Sequence, residues 1–144
     1  CWYTHRHSEA IAAAQAVAAA AYLARHGEKK QGIQAYIEKK FAYNLSVPLE
    51  KLRPEFVFDC RSGYSVPPAI IAFLESEGYE DAVRRAVSLG GDSDTMACIA
   101  GGIAEAYYGG VPGCIANVCW GRLDKTLRDT AAAFFGAFPV PGRE

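Results

Sequence analysis

Nowhere does this sequence string together the roughly 20 strongly apolar residues that cross a bilayer. Its longest apolar stretch, Ala10 to Ala24, is alanine-dominated and carries Gln15, so no transmembrane segment is expected. A basic patch leading into an apolar core is also missing near the N-terminus, which leaves a secretory signal without support. Charge of one sign is scarce: 15 basic and 16 acidic side chains leave a net charge of -1. No broad field would steer such a chain to nucleic acid or an anionic membrane. The five cysteines, Cys1, Cys60, Cys98, Cys114 and Cys119, contain no CxxC pair, which disfavours a zinc knuckle or a redox dithiol. Small buried thiols in a reducing cytoplasm are expected instead. A convincing period-two strand pattern is absent too.

What the chain does have is helical periodicity. At 144 residues and 51% hydrophobic content it is long enough for one core, and a single domain over residues 1–144 is expected. "SEAIAAAQAVAAAAYLAR" begins at a plausible cap, Ser8, and stops just before Gly27, which predicts a helix with Ile11, Val17 and Leu23 as its knobs. Ile33, Ile37 and Phe41 recur every four residues with lysines opposite, the pattern of an amphipathic surface helix. The proline-broken segment from Asn44 to Pro68 reads as a long connection with a short extended piece at Glu55 to Phe58. Pro67 and Pro68 suit the first turn of the next helix. Another helix ends at Gly90 and Gly91, and three more follow. Six or seven helices predict an all-α fold, a compact multi-helix orthogonal bundle.

Directly before one of those helices stand Asp92, Ser93, Asp94 and Thr95. An N-cap explains one acidic residue there. Asp at i, Asp at i+2 and Thr at i+3 exceed what a cap needs, and neighbouring carboxylates repel unless a cation or proton lies between them. Oxygen-only donors select a hard cation such as Mg²⁺, Mn²⁺ or Ca²⁺. An EF-hand loop is excluded because Met96 to Ala100 carries no oxygen side chain. A D-x-D-x-T phosphatase motif would follow a buried strand, whereas a helix and a Gly-Gly pair come first here. On pattern alone, cap and cation ligand both stay open.

The stretch "AVSLGGDSDTMACIAGGIAEAYYG" resembles the C-terminal signature of the ADP-ribosylglycohydrolase family. "YTHRHSEAIAAAQAVAAAA" resembles the family's Thr-His segment, and "FDCRSGYSVPPAIIAFLES" matches its bacterial branch. The three matches follow the family's order from Tyr3 to Gly110. The resemblance implies an all-α domain with two Mg²⁺ or Mn²⁺ ions that hydrolyses the bond joining ADP-ribose to a protein side chain or small acceptor. By position it makes Asp92, Asp94 and Thr95 metal ligands and His5 a ligand contact, with Ser62, Gly63, Tyr64 and Ser65 lining the ligand. His7 stays open between a role at the site and local capping, and His26 needs only the helix dipole.

The family's Gly-Asp-rich opening, catalytic glutamate and Thr-Asp-Asp motif have no counterpart in this sequence. The chain opens on Cys1 almost inside a motif, so it is expected to be the C-terminal portion of a longer domain. No general base stands out: Glu9, Glu50, Glu55 and Glu105 all read as surface residues. Two aspartates and a threonine complete only part of two hard-cation shells, so this chain alone is expected to bind metal weakly and not to hydrolyse. The expected partner is ADP-ribose or an ADP-ribosylated substrate, with self-association or pairing with the absent half through exposed apolar surface. The alternatives are a non-catalytic ADP-ribose-binding or interaction module and an inactive truncated remnant.

Overall fold

Alanine at every third or fourth position gives the first helix, α1 (Ser8–Arg25), a smooth stripe of Ala13, Ala16, Ala20 and Ala24, all buried. The computed structural model describes Tyr3 and residues 6–59 and 61–138. It is the alanine stripe, not the larger Ile11, Val17 and Leu23, that enters the core; those three are half-buried at its flanks. Small side chains let neighbouring helices approach closely, so the bulky residues fill the margins instead. The helix is capped one residue earlier than expected: His7 Nδ1 accepts the Glu9 N–H at 3.3 Å.

The remaining elements are α2 (Lys30–Phe41), α3 (Leu49–Leu52), a 3-10 turn (Arg53–Glu55), α4 (Ser62–Leu74), α5 (Tyr79–Ser88), α6 (Ser93–Tyr108), α7 (Gly113–Arg122) and α8 (Lys125–Ala137). The described residues contain no strand, in keeping with the all-α expectation. None of the described helices is long and apolar enough to cross a membrane. The chain divides after Gly110 into two compact units.

In the first unit α6 packs against α1, α4 and α5, α4 also meets α1 and α5, and α2 closes against α1. Ile33 and Ile37 of α2, Leu49 of α3, Ile70 and Phe73 of α4 and Met96 and Ile103 of α6 are the largest fully buried side chains among its described residues. A Cβ at Gly101 would stand 3.3 Å from Val83 Cγ2 and 3.4 Å from the Tyr79 hydroxyl. Glycine there sets how closely α5 and α6 meet. Lys30 reaches from the start of α2 to the Ser76 carbonyl, with its ammonium 5.2 to 5.6 Å from the ring centres of Phe73, Tyr107 and Tyr108. Cation–π attraction thereby ties the ends of three helices together.

Two local expectations need correction. The connection after α2 is partly helical, because buried Leu49 anchors a short turn whose N–H donates to Glu75 Oε1 at 2.9 Å; Phe56 is extended but pairs with no strand. And α4 begins at Ser62, so Pro67 and Pro68 lie in its second turn. The prolines lack the N–H groups that would bond the Gly63 and Tyr64 carbonyls, and a helix tolerates that near its start far better than in its middle.

In the second unit Asp124 caps α8 by accepting the Leu127 N–H at 2.8 Å, and Phe134 meets Phe135 edge-on and Phe138 at a tilt. The cysteines differ from expectation as well: Cys98, Cys114 and Cys119 are free and exposed, Cys98 because it lies off the buried face of α6 and the other two because α7 carries no buried residue. Cys1 and Cys60 lie outside the described residues.

Candidate functional site

The turn that launches α6 is built by Gly90 and Gly91, with φ of 76° and 61°, a left-handed pair that side chains other than glycine rarely adopt. It delivers Asp92, half-buried, at φ -78° and ψ 58°. Asp92 stands where an N-cap would, yet its side chain makes no capping hydrogen bond. Asp94 and Thr95 are exposed on the first turn. Asp94 Oδ1 accepts the adjacent Thr95 N–H at 2.9 Å. That amide, and after it the Asp92 side chain, holds the Asp94 carboxyl below the usual carboxylate range.

The three residues therefore share one helix start, beside the positive end of the α6 dipole, and present hard oxygen donors that are only partly used by the protein. That donor chemistry fits a hard divalent cation. It fills only part of a shell: among the described residues no three or more His, Cys, Asp or Glu side chains gather in one place.

A Cβ at Gly91 would stand 2.9 Å from the Phe56 ring and 3.5 Å from the Val57 carbonyl. The start of α6 thus packs on the segment that leads into α4. There Asp59 receives Arg61 through Nε and Nη2, at 3.0 and 2.6 Å to Oδ2, and the guanidinium lies 4.5 Å from the Tyr64 ring centre. The Arg61 side chain, with its backbone N–H, holds the Asp59 carboxyl below its ordinary range.

Gly63 and Tyr64 line a cleft of about 320 Å³ together with Phe56, Val57, Lys51 and Pro67. Ser62 is half-buried at the helix start, while Ser65 is only 4% exposed and faces the core. So the structure gathers Gly63 and Tyr64 on one wall and turns Ser65 away from it. His5 lies outside the described residues. His7 caps α1, and His26 bonds the Tyr22 carbonyl at 2.7 Å through Nδ1.

Glu9 departs from its expected surface position. It is half-buried, and its Oε1 accepts the Gly63 N–H at 2.7 Å, across 54 residues of sequence. Glu105 is half-buried too, and Glu50 is exposed and paired with Arg53 at 3.3 Å. The Glu55 side chain lies outside the described residues. A long-range contact such as Glu9 to Gly63 leaves no periodic or local signal by which a sequence could reveal it.

Comparison with known proteins adds the decisive match: the model of the ADP-ribosylglycohydrolase family aligns with residues 1–143. The chain belongs to the ADP-ribosylglycohydrolase family. It is 34% identical over 82 residues to the ADP-ribosylhydrolase ARH3 of Danio rerio, a match covering 49% of this chain and 22% of that protein. The chain therefore spans well under two thirds of that relative. No solved structure matches it. The all-helical first unit agrees with the family assignment.

Proposed function

We propose that this chain forms the C-terminal part of a metal-dependent ADP-ribosylglycohydrolase, which cleaves the N- or O-glycosidic bond between ADP-ribose and a protein side chain or small acceptor. The observation that carries this reading is the start of α6, where Asp92 occupies the cap position without capping. Asp92, Asp94 and Thr95 would hold Mg²⁺ or Mn²⁺, and Gly63 and Tyr64, with His5 and Ser62, would border the ligand. When bound, a divalent pair supplies the positive charge that steadies a ribose diol and the charge developing on the leaving group. The chain's own contribution is to hold those partly used oxygens at a helix N-terminus and to set an aromatic-lined cleft beside the neighbouring helix start.

A second reading, an ADP-ribose-binding module without catalysis, draws on the sparse donor set. Among the described residues nothing supplies a third clustered carboxylate or imidazole, and no glutamate among them stands at the Asp92–Thr95 corner as a general base. Full-length protein treated with an ADP-ribosylated substrate separates the readings. Release of free ADP-ribose that requires Mg²⁺ or Mn²⁺ and vanishes in Asp94→Asn supports hydrolysis. Tight ADP-ribose binding that survives EDTA, without release, supports the binding module. The 144-residue chain alone should bind Mn²⁺ weakly, and calorimetric saturation at two ions would count against a partial shell.

A further inference from the structure

We infer that Glu9 is a positioning residue: its carboxylate, accepting the Gly63 N–H at 2.7 Å, fixes the first turn of α4 and with it the Gly63–Tyr64 wall of the cleft. Three independent features converge on this contact. First, α4 has no cap of its own. Its N-cap residue Arg61 makes no side-chain capping bond, because a guanidinium carries only donors and has no acceptor to offer a helix N–H; it donates instead to Asp59. An uncapped helix start leaves N–H donors looking for acceptors, and Glu9 brings one from α1.

Second, the charge is well placed. Glu9 lies in the first turn of α1 and touches the first turn of α4, so one carboxylate faces the positive ends of two helix dipoles. A charge-assisted hydrogen bond in a half-buried site is stronger and more directional than a neutral one. Third, the fit is close. A Cβ on Gly63 would lie 2.4 Å from Glu9 Oε1, so a larger residue at that position would push the carboxylate off its present seat on the amide. The surroundings agree: the Tyr43 hydroxyl is buried without a hydrogen-bond partner among the described residues, and burial followed by the Glu9 charge pushes its phenol above the ordinary value.

That the wall so held serves a ligand rests on the proposed function; the contact itself does not. Glu9 acts on the backbone and need not touch the ligand. The assignment separates Glu9→Ala, which removes the acceptor, from Glu9→Gln, whose amide oxygen can still receive the Gly63 N–H.

The test uses the full-length protein with two readouts, the Gly63 amide by ¹⁵N NMR and ADP-ribose affinity by calorimetry. Glu9→Ala should shift the Gly63 amide proton upfield, lower its exchange protection and weaken ADP-ribose about tenfold, the scale of one charge-assisted hydrogen bond. Glu9→Gln should recover most of both effects. Gly63→Ala, which evicts the carboxylate, should reproduce Glu9→Ala, and the double variant should be no worse than either. In Glu9→Gln the Tyr43 phenol should titrate lower than in the parent. A Gly63 amide unchanged by Glu9→Ala overturns the inference, as does a shifted amide with parental ADP-ribose affinity, or additive losses in the double variant. A parent that binds no ADP-ribose while Glu9→Ala still shifts the Gly63 amide overturns the functional reading and leaves the Glu9–Gly63 contact supported.

Discussion

Two helix starts in this chain carry aspartate at the cap position and use it in opposite ways. Asp124 at the start of α8 turns its carboxylate inward and accepts the Leu127 N–H at 2.8 Å. Asp92 at the start of α6 bonds no amide of its own helix. The backbone explains the contrast: Asp124 has the extended cap conformation, φ -67° and ψ 169°, whereas Asp92 leaves a double-glycine turn with ψ 58°. A cap aspartate in the ordinary conformation is consumed by stabilising its helix. One displaced from it is not consumed in that way.

The comparison breaks most sharply at Asp94. In the full-length protein, Asp94→Asn should lower ADP-ribose release on the order of 100-fold or more, since even residues outside a metal's ligand shell cost up to that much. The melting temperature without metal should barely move. Retained release would remove Asp94 from the reaction. The stability of the two caps should then separate in the opposite direction. Asp124→Ala should destabilise the α8 region by about 1 kcal/mol, as loss of a side-chain cap does, while Asp92→Ala in EDTA should cost much less. Chemical denaturation followed by amide exchange along each helix reads this directly, and equal losses would make Asp92 an ordinary cap.

A smaller effect concerns the approach to α4. Arg61, by its side chain and then its N–H, lowers the Asp59 carboxyl. The stabilising contribution is therefore complete above the unfolded carboxylate value of about 4 and fades as pH falls through the lower folded value. Asp59→Asn should thus differ from the parent in stability at neutral pH, and the difference should vanish in acid. Because the pair is exposed, the effect should be slight. A gap that persists or grows in acid would contradict the assignment.

Much of this could be read before any coordinates. The span of α1 followed from its alanine content and Gly27, and the end of α5 from Gly90 and Gly91, because glycine and caps act locally. The Asp92–Thr95 cluster stood out because its charge exceeded what a helix start requires. Other features were not legible. The prolines at 67 and 68 advertise a helix start and so concealed the five residues from Ser62 that precede them in α4. Ser65 carries the same hydroxyl as Ser62 but turns to the core, a distinction set by helix phase once the true start is known. Glu9 offered nothing at all, since its partner is 54 positions away and only the packing of α1 against α4 brings them together.

The central claim is that the first turn of α6 keeps its carboxylates for a divalent ion. Mn²⁺ titration of the full-length protein, with free ion counted by electron paramagnetic resonance, tests it most directly when the parent is set beside Asp92→Ala and Asp94→Asn. Tight binding in the parent that is lost in both variants is the predicted result. Unchanged Mn²⁺ binding in both variants, together with a loss of helix stability matching that of Asp124→Ala, would contradict it.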